Sequence, residues 1–210
     1  MTTPPPADTP AATHGAGTRP AAVAAPAPGH ELMSDLQSVL HDAPAIAARV
    51  AELGRRISDD YRGKPLVLIS ILKGGIIFLA DLTRAITIPH SFDLMGASSY
   101  RGGTRTTGRV VITKDAELEL RGKHLLLVED ILDSGHTLNV ILELLKIQEP
   151  ASVEVCCLLD KRRERAVEVH MKYVGFEIPD DFVVGYGLDY DEYYRNLPCI
   201  GVLKPEVYAD

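Results

Sequence analysis

The stretch LLLVEDILDSGHTL, Leu125 to Leu138, decides how the chain folds. Four apolar residues run directly into Glu129 and Asp130, and three residues later come Asp133, Ser134, Gly135, His136 and Thr137. A continuous apolar run of this length fits a strand buried on both faces, as in a parallel sheet. Leu138, Ile141, Leu142 and Leu145 then recur at helical spacing. The segment therefore reads as strand, tight turn, helix. Buried carboxylates are costly unless paired or bound to a metal. The three acids are thus expected at the strand's open end, facing something that neutralises them.

Working outward, the same alternation recurs. Asp42 suits an N-cap, with Pro44 in the first turn, and Ile46, Val50, Leu53, Ile57 and Tyr61 mark a helix that Gly63 ends. PLVLISIL, Pro65 to Leu72, is a second buried strand, broken by Lys73-Gly74-Gly75 and followed by a helix from Ile76 to Ile86. FDLMGAS (Phe92 to Ser98), RVVIT (Arg109 to Thr113), VEVCCLL (Val153 to Leu159) and DFVVGYGL (near Asp181 to Leu188) read as further strands. Strands alternating with helices give an α/β fold with a central, mainly parallel sheet flanked by helices. SSYRGGTRTTG, Ser98 to Gly108, is too rich in Gly, Ser and Thr for regular structure and reads as the body of a flexible loop over about residues 96–108.

Composition sets the frame. The 210 residues are 46% hydrophobic and 24% charged, enough for one core-bearing domain with a small appendage. A net charge of −7 argues against a nucleic-acid partner, and no apolar run reaches the length of a membrane span. Cys156, Cys157 and Cys199 form no CxxC pair; the first two lie in an apolar run and read as buried small residues in a reducing, cytoplasmic setting. The first thirty residues hold seven Pro and nine Ala and have no means of building a core. The expected division is a disordered tail over 1–31 and a domain over 32–210, with Met33 as an alternative start. His41, His90, His124 and His170 show no metal-ligand spacing.

In such sheets, ligands bind beyond the carboxyl ends of the strands. Gly135 permits a tight turn whose N–H groups converge, the helix N-terminus adds partial positive charge, and Ser134 and Thr137 add hydroxyls. That makes a phosphate cradle, against the plainer alternative in which Ser134 or Thr137 only caps the helix. Two acids just upstream suit the hydroxyls of a ribose 5-phosphate, and a pyrophosphate on that sugar would bring in Mg²⁺.

VEDILDSGHTL resembles the 5-phosphoribosyl-1-pyrophosphate (PRPP) motif of the type I phosphoribosyltransferases. LKGG (Leu72 to Gly75), SSY (Ser98 to Tyr100), LLDKR (Leu158 to Arg162) and DFVVGYGLDYDEYYRNLP (Asp181 to Pro198) narrow the likeness to the hypoxanthine-guanine branch, in the expected order from about Leu32 onward. His136 departs from the Lys or Gln common there. The resemblance implies the type I fold, with a small hood formed by the beginning of the domain and its C-terminal segment. It implies transfer of a phosphoribosyl group from Mg-PRPP to N9 of hypoxanthine or guanine in cytoplasmic purine salvage, by a homodimer or homotetramer.

Site roles follow residue by residue from that resemblance. PRPP would contact Lys73, Gly74, Glu129, Asp130, Ile131, Leu132, Asp133, Ser134, Gly135, His136, Thr137 and Arg195, with a cis peptide between Leu72 and Lys73. Asp189, Glu129 and Asp130 would serve Mg²⁺, and Asp133 would be the general base. Lys161 would donate to the purine 6-oxo group and Phe182 would stack on the base, with Asp181, Val183, Leu188 and Asp189 beside it. Ser99 and Tyr100 would belong to a lid. Asp191, Glu192, Arg163 and Arg165 read as solvated surface charges. Two alternatives stand beside this: a PRPP- or nucleotide-sensing regulator on the same fold, which would want a basic surface, and a transferase for another base, which the Lys161 and Phe182 segments disfavour.

Overall fold

The computed structural model describes residues 31–99, 110–161 and 167–209. Tyr100, most of the expected lid, and Arg163 and Arg165 lie outside the described residues, as does the Ala/Pro-rich start.

The first helix, α1 (Ala43–Asp60), begins where the sequence places it: the Asp42 side chain accepts from the Ala45 N–H at 2.9 Å, with Pro44 in the first turn. Its stripe of Ile46, Val50, Leu53 and Ile57 is buried. Strand β1 (Leu36–His41) precedes it, and β2 (Leu66–Leu72), α2 (Ile76–Ala85), β3 (His90–Ser99), β4 (Val110–Lys114) and β5 (His124–Leu132) follow. Then come α3 (His136–Ile147), β6 (Ser152–Lys161), β7 (Tyr173–Ile178), β8 (Val183–Val184), β9 (Ile200–Leu203) and α4 (Pro205–Tyr208).

Six strands form one sheet in the order β4-β3-β2-β5-β6-β7, all neighbours parallel except β4, which runs antiparallel to β3. The apolar runs are continuous because both faces are covered. On β2, Leu66 and Leu68 pack with the buried residues of α1 and α2, while Val67, Ile69 and Ile71 pack with Leu138, Ile141 and Leu145 of α3. On β5, Leu126 and Val128 face the first group and Leu125 and Leu127 the second. At ~25 cal/mol per Å² of apolar surface removed from water, these two cores are the main source of stability.

A second sheet, β1-β9-β8, is antiparallel and three-stranded. It pairs Leu36 with Leu203 and Val183 with Val202, uniting the chain segments just after residue 31 and just before residue 209. DFVVGYGL is a shorter strand than its apolar content suggests. Only Val183 and Val184 are strand; Gly185, Tyr186 and Gly187 all take positive φ, which folds the chain back so that Gly185 bridges Leu188. Strands β1, β7 and β9 were not expected.

Strand order gives the sheet a switch point. From β2 the chain crosses by α2 to β3 on one side; from β5 it crosses by α3 to β6 on the other. The adjacent carboxyl ends of β2 and β5 therefore diverge into a crevice, the usual ligand position in such sheets.

Candidate active site

Three chain segments meet at this crevice. The first ends β2: the Leu72–Lys73 peptide is cis, as the resemblance implied, and Lys73-Gly74-Gly75 turns into α2. The second is the acidic end of β5. They touch, because a Cβ on Gly74 would lie 1.9 Å from Asp130 Oδ2 and 2.8 Å from its Cγ. A side chain at residue 74 would have to displace the Asp130 carboxylate. The third is the turn after β8. A Cβ on Gly187 would meet the Gly74 carbonyl oxygen at 2.2 Å, and φ at Gly187 is +105°. Glycine is needed there for both space and conformation.

Glu129 and Asp130 are not at the strand's last residue. β5 continues to Leu132 beside β6, with Ile131 opposite Leu159 and Leu132 opposite Asp160. The β2–β5 ladder, however, stops at Ser70–Val128, and the Ile71 N–H that would follow donates instead to Glu129 Oε1 at 3.3 Å. The Asp130 carboxylate accepts from the Ile131 N–H at 2.9 Å. Both groups are drawn out of water: desolvation, then the neighbouring Asp130 charge, pushes the Glu129 carboxyl well above its ordinary range. Desolvation pushes Asp130 up to about 6, against the pull of its backbone hydrogen bonds.

Beyond them the chain forms the expected turn. Leu132 points into the core at 2% exposure, so only its backbone can serve a ligand. Asp133 is exposed, Ser134 partly buried, Gly135 buried, and His136 and Thr137 exposed. Gly135 is the N-cap of α3, with φ +80°, and brings no side chain to the first-turn amides. A Cβ there would meet the Val167 carbonyl oxygen at 2.3 Å. The turn thus presents backbone N–H groups at a helix N-terminus.

On the opposite wall, Arg195 Nη1 donates to the Gly187 carbonyl at 2.8 Å, and Nη2 pairs with Asp189 Oδ1 at 2.9 Å and Glu192 Oε2 at 3.2 Å. Glu192 also pairs with Lys73 Nζ at 2.9 Å, and its N–H donates to Asp189 Oδ2 at 3.0 Å. Sequence reasoning took Glu192 for a solvated surface acid; it is exposed, but it links Lys73 to Arg195. Positive φ at Asp191 and Glu192 makes this possible, and a sequence pattern carries no such information.

The remaining candidates line the outer wall. Lys161, at the end of β6, pairs with Asp180 Oδ1 at 3.1 Å, and its side chain is only 14% exposed. Asp181 is exposed. Phe182 is 38% exposed, the profile of a ring with a free face, while Val183 and Leu188 are buried in the α1/α2-side core. Two aromatic residues that sequence reasoning passed over, Tyr190 and Tyr208, lie against Phe182. Ser99 ends β3, and its partner in the expected lid, Tyr100, is outside the described residues.

Against known proteins, residues 37–191 match the phosphoribosyl transferase domain. The chain is 51% identical over 180 residues to a hypoxanthine-guanine phosphoribosyltransferase of Mycobacterium avium, covering 83% of this chain and 89% of that one.

The chain belongs to the hypoxanthine-guanine phosphoribosyltransferase family.

Another relative of the same name, from Staphylococcus aureus strain Mu50, is 50% identical over 177 residues, spanning 84% of this chain and 99% of its own. Among solved structures, a Staphylococcus aureus hypoxanthine phosphoribosyltransferase superposes with a TM-score of 0.84 at 48% identity, over 87% of this chain and all of that one. A Trypanosoma cruzi hypoxanthine phosphoribosyltransferase in a ternary substrates complex gives 0.79 at 41%, over 84% of this chain and 100% of that one. The type I fold expected from the resemblance is therefore the fold of this chain, and the regulatory alternative draws no support from these relatives.

Among the described residues, no group of three or more His, Cys, Asp and Glu side chains could hold a metal by itself. The donors near the crevice are carboxylates, and Mg²⁺ prefers oxygen ligands while keeping several waters and substrate oxygens. Desolvated Glu129 and Asp130, with the Asp189 charge close enough to act on Asp130, are oxygen donors of the kind Mg²⁺ takes.

Proposed function

We propose that the chain transfers the 5-phosphoribosyl group of Mg-PRPP to N9 of hypoxanthine or guanine, giving IMP or GMP and pyrophosphate. The observation that carries this is the meeting of the Lys73-Gly74, Glu129-Asp130 and Gly187–Arg195 segments at the open end of β2 and β5.

Amides at the Gly135 turn hold the 5-phosphate, with Ser134 and Thr137 adding hydroxyl donors. Glu129 and Asp130 accept from the ribose hydroxyls. The backbone of Lys73 and Gly74 and the guanidinium of Arg195 take the pyrophosphate, which replaces Glu192 on that fork of donors. Mg²⁺, held by PRPP oxygens with Asp189, Glu129 and Asp130, would neutralise charge on the departing pyrophosphate. Asp133, exposed at the end of β5, accepts a proton from N7 of the purine as N9 bonds to the sugar. Phe182 stacks on the base, with Asp181, Val183 and Leu188 around it. Lys161, oriented by Asp180, donates to the 6-oxo group.

The family alone suggests a dimer or tetramer working in the cytoplasm, with the two substrates as partners and neither nucleic acid nor membrane among them. A further part of the same reading is closure of a lid carrying Ser99 and Tyr100 to exclude water.

The test is direct. Purified protein with Mg-PRPP and hypoxanthine should give IMP, followed by ultraviolet absorbance. Absence of product at saturating PRPP would reject the reading.

A further inference from the structure

Phe182 lies one residue before β8, and its carbonyl accepts from the Leu203 N–H at 2.9 Å. Its backbone is therefore held, but its ring projects from the small sheet and is 38% exposed. A side chain in that position is free to change rotamer, and fixing it on binding costs entropy. Here the ring already has two aromatic neighbours. Tyr208 stacks on it with centroids 4.9 Å apart and planes 23° apart. Tyr190 meets Phe182 edge-on at 5.8 Å and 86°, and Tyr208 at 6.4 Å and 65°.

Tyr208 is itself placed by hydrogen bonds at both ends of its short helix. The Lys204 N–H donates to the Asp35 carbonyl at 3.0 Å, and the Ala209 N–H to the Pro205 carbonyl at 2.8 Å. Tyr190 immediately follows Asp189, so the aromatic group joins the platform for the base to the loop that carries Arg195.

An aromatic ring has two faces. Tyr208 takes one face and Tyr190 meets the ring edge-on, so with the residue still 38% exposed the opposite face is the one left for a planar heteroaromatic ligand. We propose that Tyr208 is a positioning residue for the purine: it backs the Phe182 ring and holds it ready for the base. This rests on Phe182 being the base platform, as read above.

The test uses the full chain and three variants, with hypoxanthine varied at saturating Mg-PRPP and PRPP varied at saturating hypoxanthine. Tyr208→Leu keeps apolar bulk and removes stacking; it should raise the KM for hypoxanthine about three- to ten-fold. Its kcat and its KM for PRPP should stay within about twofold, as expected when one base contact is weakened. Tyr208→Phe should restore the hypoxanthine KM, because stacking needs the ring and not the hydroxyl.

Phe182→Ala should raise the same KM by about 5–100-fold, the range for losing a base-stacking ring. If Phe182→Ala leaves that KM unchanged, the base platform itself is misplaced and the inference falls with it. If Phe182→Ala raises it but Tyr208→Leu only lowers the melting temperature, Tyr208 is structural and the inference alone is overturned. A lower hypoxanthine KM in Tyr208→Leu would mean that Tyr208 occupies the face the base needs, which also overturns it.

Discussion

Between Leu125 and Val128, strand β5 is closed to water on both faces, each side chain at 0% exposure. In the next five residues the same backbone carries Glu129, Asp130 and Asp133, with two of these carboxyls starved of solvent. The first half repays its ordering through apolar burial; the second gives some of that stability back to present charge at the crevice. Neighbouring strands repeat the division. β2 is buried from Leu66 to Ile71 and then turns through Lys73-Gly74, and β6 is buried from Val155 to Leu159 and then reaches Lys161. One end of the sheet stabilises the fold, and the other carries the candidate site.

Asp133→Asn should show the largest effect on the binding end. A general base, the role proposed for it, contributes about 10²–10⁴-fold, so kcat should fall by that factor while PRPP still binds and the melting temperature holds. A variant that keeps its rate but melts earlier would reduce Asp133 to a turn residue.

Leu127→Ala should do the reverse. It removes a fully buried side chain between β5 and α3, and should cost about 2–5 kcal/mol of stability in denaturant titration. The protein that remains folded should keep its substrate KM values. A changed base or PRPP KM would show that the two ends are coupled.

Asp130→Asn should stabilise the ligand-free protein. The native carboxyl titrates at about 6 and the unfolded one near 3.8, so between those values the folded state holds more protons. Stability therefore falls as pH rises through that window, and the penalty is complete above it. Asparagine keeps an acceptor for the Ile131 N–H and removes the charge. Melting at pH 8 should rise by the equivalent of ~1–3 kcal/mol, the slope between pH 4 and 6 should flatten, and stabilisation by Mg-PRPP should shrink. A lower melting point at pH 8 would contradict the account of a costly acid.

Glu192→Gln should have the smallest effect. It releases Lys73 and Arg195 from a competing carboxylate, so the KM for PRPP should drop about two- to three-fold, in line with the modest strength of exposed ion pairs. A rise in that KM would show that Glu192 organises Arg195 instead of competing for it.

Much of this was readable from the chain. PLVLISIL and LLLV announce strands covered on both faces, Asp42 and the stripe from Ile46 to Tyr61 announce α1, and Ser134-Gly135 after the apolar run announces the turn from β5 into α3. The small sheet was harder. LQSVLH and IGVL are short, and each is a strand only because its partner lies far away in sequence, Leu36 against Leu203. DFVVGYGL looked longer than it is because valine and leucine suggest a strand while Gly185 and Gly187 reverse the chain. The contact of Gly74 with Asp130, the Glu192 bridge and the stacking of Tyr208 on Phe182 all depend on register between distant segments, which no local pattern encodes.

The central claim is that the crevice accepts a purine carrying an acceptor at position 6. Lys161 has only donors to offer, and adenine would face it with an amino group. A site built for one hydrogen-bond polarity can reject the other by ~10⁴–10⁵-fold. The decisive measurement is kcat/KM for hypoxanthine, guanine, xanthine and adenine at saturating Mg-PRPP. Turnover with hypoxanthine and guanine, little with xanthine and none with adenine is the result expected; adenine used as well as hypoxanthine would contradict the role of Lys161 and the assignment of the base site.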